Sequence, residues 1–252
     1  MMKNIKSKKG NFLVIGASGT IGSEVVRKLS IHANKIGLHY CNNETAINKL
    51  RTSLDESFDG SITDFQSNLD TEESCADLID RVYNEFDTLS GIALCAGRVP
   101  WKDWQQLNLN DWQGALFEHC IVPFSLAKLV SIRMQDQGCG HIVYLSSIAS
   151  KYGGSPRSLH YASAKGALEV AMHGLAKNVA KSGVNVNGVR SGFVHSPQHQ
   201  VDRTIEEISE RINKIPMGRA GKPDEVAATV NFLLSPDANF ITGEIITTSG
   251  GD

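Results

Sequence analysis

Short apolar runs alternate with longer stretches of helical spacing from one end of the chain to the other. The runs predict strands at Asn11–Gly16, Lys35–Tyr40, Ser61–Gln66, Gly91–Cys95, His141–Leu145, Val184–Val189 and Glu244–Thr248. The stretches between them predict helices near Thr20–Ser30, Asn43–Leu54, Thr71–Phe86, Leu109–Asp136, Leu159–Ser182 and Pro223–Leu234. Alternation of this kind predicts an α/β fold, a doubly wound parallel sheet of about seven strands with helices on both faces. There is no internal repeat, low-complexity tract or linker, so residues 11–252 read as one domain behind a flexible tail at 1–10. The segment 191–221 breaks the rhythm. It carries Pro197, Pro216, two histidines and a short charged helix near Thr204–Ile215, and reads as a lid over the carboxyl edge of the sheet.

Composition changes this picture little. The 252 residues are 41% hydrophobic and 21% charged, as in an ordinary globular domain. A net charge of -2 gives no footprint for nucleic acid. Lys3, Lys6, Lys8 and Lys9 precede no apolar core of signal-peptide length, and no stretch is read as approaching the roughly 20 apolar residues of a membrane span. Cys41, Cys75, Cys95, Cys120 and Cys139 are odd in number and form no C-x-x-C pair. Free thiols in a reducing, cytoplasmic setting are therefore expected.

Two local patterns carry chemistry. Gly16-Ala-Ser18-Gly19-Thr20-Ile21-Gly22 follows the first strand and opens the first helix. Glycines permit a tight turn there, and the helix N-terminus offers free N–H groups to a pyrophosphate. This context predicts dinucleotide binding. The second strand ends in Tyr40-Cys41-Asn42-Asn43, with no carboxylate before Glu44 to hold the ribose hydroxyls of NAD. NADP(H) is thereby favoured over NAD(H), although no Arg or Lys stands there for a 2′-phosphate. The second pattern is Tyr161-Ala-Ser-Ala-Lys165, with Ser147 after an apolar strand. Tyr and Lys four apart share a helix face, and an ammonium favours a nearby phenolate. That makes a proton donor and acceptor suited to an alcohol or a ketone.

Taken with Leu94-Cys95-Ala96-Gly97, Ser146-Ser147, Asp111-Trp112, Pro123-Phe124, Ser191-Gly-Phe-Val194 and Ile241-Thr-Gly…Ser249-Gly-Gly251, these patterns resemble the short-chain dehydrogenase/reductase family over nearly the whole chain. Pro216-Met-Gly-Arg219 through Pro223-Asp-Glu-Val226 most resemble its 3-oxoacyl-[acyl-carrier-protein] reductases. The resemblance implies a Rossmann-like sheet and hydride transfer between a nicotinamide dinucleotide and a small carbonyl or alcohol. It assigns acid–base work to Tyr161, pKa lowering and ribose contact to Lys165, and the substrate oxygen to Ser147. It places Asn68 and Leu69 at adenine, and Cys95, Ala96, Gly97 and Val194 along the cofactor. It also implies a homotetramer or homodimer through the long helices and the last strand. Apolar residues in Leu168–Val179 and Ile245-Ile246 fit that, and fit core packing too.

The chain departs from the family pattern at several points. Ile15 replaces a Thr, Thr20 the middle glycine and Leu94-Cys95 an Asn pair, so packing is expected to replace hydrogen bonds between the two loops. Asn68 stands for an acidic residue, Ser191 for a proline and Ser249 for an aspartate. His119 replaces an Asn that helps hold a water in the family. It reads either as a direct proton relay or as a plain helix residue. Such drift leaves open a catalytically lapsed relative that binds dinucleotide as a regulator or scaffold. Among weaker signals, Trp101 and Trp104 line a pocket or pack their loop, and Arg157 and His160 flank Tyr161 where an anionic substrate would meet them. His195 and His199 lack a third ligand, so no metal is expected. The basic patch for docking a carrier protein is thin, with Gln135-Asp136-Gln137 and Lys181-Ser182 at the expected positions.

Overall fold

The computed structural model describes residues 10–54, 58–197 and 204–252. Among them, β1 (Gly10–Ile15), β2 (Ala33–Tyr40), β3 (Ser61–Gln66), β4 (Gly91–Leu94), β5 (Gly140–Ser147), β6 (Val184–Ser191) and β7 (Ile245–Thr248) form one sheet in the order β3-β2-β1-β4-β5-β6-β7. Every pairing is parallel. The central strands β1, β4 and β5 are buried on both faces, which explains why they read as continuous apolar runs rather than alternating ones. All seven expected strands are present, and β5 and β6 run on to Ser147 and Ser191. The expected tail lies outside the described residues apart from Gly10, which opens β1.

The helices are α1 (Thr20–Leu29), α2 (Glu44–Leu54), α3 (Glu72–Phe86), α4 (Leu109–Leu116), α5 (Val122–Gln137), α6 (Ala149–Tyr152), α7 (Leu159–Val179), α8 (Ile205–Asn213) and α9 (Pro223–Leu233). One apolar cluster joins the sheet to α1, α2 and α9, and a second joins it to α3, α5 and α7. Helix α1 buries Gly22, Val25, Val26 and Leu29, a single stripe. Reciprocal caps start three helices: Thr71 with Ser74, Asn108 with Asp111, and Thr204 with Glu207. This single domain has the Rossmann-like architecture. Its strand order reverses between β1 and β4, where such folds open a crevice at the carboxyl ends of the strands.

Two expectations need correction. The helix expected over Leu109–Asp136 is interrupted by a π-helical turn at Phe117–Ile121. Pro123 has no N–H to give to the carbonyl four residues back, and the ladder widens there instead of breaking. The same run, Leu109–Gln137, is by length and composition apolar enough to cross a membrane, contrary to the reading that no stretch approaches that size. It is apolar on several sides because it buries Leu126, Val130 and Met134 while leaving Ile121 and Ile132 exposed. Its ion pairs Lys128–Glu72 (3.0 Å) and Arg133–Asp80 (2.7 Å) fasten it to α3, as a layer helix of the sheet.

Candidate active site

The first loop turns at Gly16, whose φ of +78° favours glycine and where a Cβ would come within 2.7 Å of Ala96 Cα. A Cβ on Gly22 would strike the Gly16 carbonyl at 2.2 Å, so this glycine lets α1 start close against the turn. Gly19 caps α1 with no side-chain acceptor, and the first turn carries no acidic residue. The uncapped N–H groups at Thr20 and Ile21, held in a glycine cradle at the switch point, fit a dinucleotide's pyrophosphate.

The expected apolar packing is present, with Ile15 and Leu94 in one core cluster, and hydrogen bonds add to it. Ile15 and Cys95 are joined by a backbone bond, Cys95 N–H to the Ile15 carbonyl at 2.9 Å. His39, which sequence reasoning passed over, receives the Gly16 N–H on Nδ1 at 3.3 Å and lies 3.1 Å from the Ser67 carbonyl through Nε2. Its carbonyl also accepts from Ala17 N–H at 2.9 Å. Burial lowers its pKa to about 4, which keeps the ring neutral and Nδ1 free to accept. Nearby, Cys41 Sγ meets Asn68 Oδ1 at 3.6 Å, while Leu69 packs on the second core cluster.

Strand β5 delivers Ser147 at its end, and α7 delivers Tyr161 and Lys165 one turn apart. Ser147 and the Tyr161 phenol line one cavity, near enough for the serine hydroxyl to favour the phenolate, and Lys165 Nζ donates to the Leu145 carbonyl at 2.8 Å. The electrostatics depart from the expectation that Lys165 depresses the tyrosine. Burial raises Tyr161 to about 12, with the Ser147 hydroxyl acting in the opposite sense. Burial likewise lowers Lys165 to about 8, with Glu118 opposing it. The ammonium lies 5.9 Å from the centre of the phenol ring. Near neutral pH the pair is therefore a protonated phenol beside a mostly charged ammonium.

His119 sits in the π turn with its ring edge-on to Tyr161, centroids 4.9 Å apart. On its other side the ring presses against Gly97, where a Cβ would lie 2.8 Å from Nδ1. Burial first, then the Lys165 charge, lowers its pKa to about 3, so the imidazole is neutral throughout the range a relay near neutral pH would use.

A cavity of about 970 Å³ runs along the carboxyl edge. It brings together Gly19, Thr20, Ile21, Cys95, Ala96, Gly97, Ser147, Tyr161, Lys165 and Val194. Gly16, Ser18, Gly22, Cys41, Asn42, Asn68, Leu69 and His119 stand outside its lining. The described part of the expected lid does reach it: Phe193, Glu207, Arg211 and Lys214 line the outer wall, and Arg211 pairs with Asp252. Residues 198–203, and with them His199, lie outside the described residues. Among the described residues no three metal-ligating side chains gather. Trp101 lines the cavity with the Arg157 guanidinium 5.9 Å from its ring centre, whereas Trp104 is 56% exposed and outside it. His160 is also corrected: it is buried edge-on to Trp112 and stands outside the cavity lining. Tyr152 and Asp252 join the lining without having stood out in the sequence, because each is brought in by a turn rather than a motif.

A family model described as enoyl-(acyl carrier protein) reductase matches residues 16–251. An uncharacterized oxidoreductase, YmfI, of Bacillus subtilis (strain 168) is 32% identical, with 95% of this chain and 97% of that one aligned. The 3-oxoacyl-[acyl-carrier-protein] reductase FabG of Aquifex aeolicus is 30% identical over 95% of both chains. An acetoacetyl-CoA reductase of Shinella zoogloeoides is 28% identical over 95% of this chain and 96% of its own. With a crevice at the β1/β4 switch point, a glycine cradle, and a serine gathered in one cavity with a tyrosine one helical turn from a lysine, the chain belongs to the short-chain dehydrogenase/reductases, as an oxidoreductase of the 3-oxoacyl-[acyl-carrier-protein] reductase type acting on CH–OH and C=O groups.

Proposed function

We propose that this chain is an NADP(H)-dependent ketoreductase that interconverts a ketone and a secondary alcohol, with Tyr161 as the acid–base group. The meeting of Ser147, Tyr161 and Lys165 in the one cavity that also holds the start of α1 carries this reading. When bound, the nicotinamide supplies or takes up the hydride. Thr20, Ile21, Ala96, Gly97 and Val194 line the wall along which the cofactor would lie. Ser147 orients the substrate oxygen, and Tyr161, held protonated by burial, donates its proton to that oxygen in reduction. Lys165 supports the phenolate left behind and meets the nicotinamide ribose. His119 acts as a neutral seat that fixes the Tyr161 ring against Gly97. The absence of a carboxylate between Cys41 and Glu44 favours NADP(H).

The relatives' names point to 3-oxoacyl thioesters, and the Trp101 and Tyr152 walls equally suit a carbonyl of specialised metabolism. A homotetramer or homodimer acting in the cytoplasm completes the proposal. The test is a screen of ketones, beginning with acetoacetyl-CoA, that follows NADPH and NADH oxidation in the wild type and Tyr161→Phe. Ketone-dependent oxidation, faster with NADPH and lowered at least a hundredfold in Tyr161→Phe, is the expected result. NADPH binding with no ketone-dependent oxidation, identical in both proteins, points instead to a dinucleotide-binding scaffold.

A further inference from the structure

A carboxylate the mechanism does not use lies buried directly behind the site. Glu169 stands one helical turn beyond Lys165 on α7, with a side chain only 9% exposed. Its two oxygens meet Ser146 Oγ at 2.5 Å, Ser150 Oγ at 2.6 Å, Arg190 Nε at 2.8 Å and Arg190 Nη2 at 2.7 Å. Burial pushes its pKa up, but the bonds from Arg190, Ser146 and Ser150 outweigh that and hold the carboxyl below its ordinary value.

Each partner belongs to a different element. Ser146 immediately precedes Ser147 on β5, and Arg190 faces Ser146 in register on β6. Ser150 lies in α6, the turn of helix that follows Ser147, and its Oγ also sits 2.7 Å from the Ser147 carbonyl. One carboxylate on α7 therefore grips the strand end, the adjacent strand and the exit helix around Ser147. The Lys165–Leu145 bond makes a second tie two residues upstream of Ser147. Between them, the two ties fix where the serine hydroxyl stands relative to the tyrosine.

We propose that Glu169, through Arg190, Ser146 and Ser150, is a positioning residue that holds Ser147 in register with Tyr161. This rests on the reductase reading above. Exchanging a buried ion pair for apolar side chains is often neutral or stabilising, whereas removing one partner leaves an uncompensated charge. Stability and positioning are thus separable with two variants, Glu169→Gln and the double Glu169→Leu/Arg190→Leu.

The experiment measures kcat with acetoacetyl-CoA and NADPH, the NADPH Kd, the Tm, and the carbon-13 resonance of the Tyr161 phenol carbon. That resonance is assigned by its loss in Tyr161→Phe and read without cofactor or substrate. The expected result is a kcat lowered roughly tenfold to a hundredfold in both variants with the NADPH Kd within about twofold. The Tyr161 resonance moves in both, although the double variant melts at or above the wild-type Tm. A double variant with wild-type kcat and an unmoved resonance overturns the proposal. Should Glu169→Gln fail to fold, the double variant decides alone. Should the wild type not turn over acetoacetyl-CoA, the resonance decides: a shift sustains the proposal and no shift overturns it, whatever becomes of the reductase reading.

Discussion

His39 reaches the first loop from the end of the neighbouring strand, and its ring serves there only while neutral, since Nδ1 accepts from Gly16. The unfolded chain takes up a proton near the ordinary value of 6.5 that the folded chain refuses until about 4. Folding stability therefore falls as pH drops through that window, by roughly 1–3 kcal/mol for this one group. In urea unfolding between pH 7 and pH 5, the wild type is expected to lose stability faster than His39→Gln. Lys165 sets the opposite limit. With its pKa lowered to about 8, it loses its charge as pH rises above that value, and with it the support proposed above for the Tyr161 phenolate. The rate of ketone reduction under saturating NADPH is expected to decline above about pH 8. Tyr161 and Lys165 were legible as a pair because their spacing is set within α7, and Ser147 as the end of an apolar strand. His39 was not. Its partner lies 23 residues away and is met only through the pairing of β1 with β2, so the sequence shows merely one more residue of a buried strand.

At the scale of elements, the π turn at Phe117–Ile121 places His119 against Tyr161. Apolar periodicity registers a helix over this region but is blind to one extra residue in a turn, so the interruption escaped the pattern. Pro123 was the available signal. Pro123→Ala restores the missing N–H and permits a regular α-helical ladder, which rotates His119 away from the phenol. A kcat lowered about tenfold, with Tm unchanged or raised, is the expected outcome. The short α6 was missed for a different reason: four residues offer no periodicity to read. The lid was anticipated as an insertion, but its grip on the C-terminal residues through Arg211 and Asp252 joins positions that no local pattern links.

For the whole molecule, the apolar surface is uneven. Ile121 and Ile132 on the interrupted helix and Val170 on α7 are exposed, with Val170 at 76%. Within Leu168–Val179, by contrast, Leu168, Met172, Ala176 and Val179 belong to the core, so the sequence alone could not divide the apolar residues of this helix between the two uses. Closing one such face against a second copy removes it from water. Light scattering is expected to give a multiple of 27.4 kDa, and Val170→Asp to reduce it while leaving the Tm of the subunit fold within a few degrees.

The strand order has a bearing on how the chain is made. Of the seven described strands β1 is made first, yet it ends in the interior of the sheet, between β2 and β4. β2 follows it closely, but its other neighbour begins only at Gly91, after two more strands and three helices have been synthesised. A chain that folds as it is made is expected to leave, for that interval, the β1 flank that later pairs with β4, including Leu13 and Ile15, open to other extended segments. Insertion of β4 closes the flank and at the same stroke brings Ala96 against Gly16. The crevice at the β1/β4 switch point is thus expected to form as this flank closes, and conditions that delay the emergence of β4 should be seen first as lost soluble yield rather than as lowered turnover.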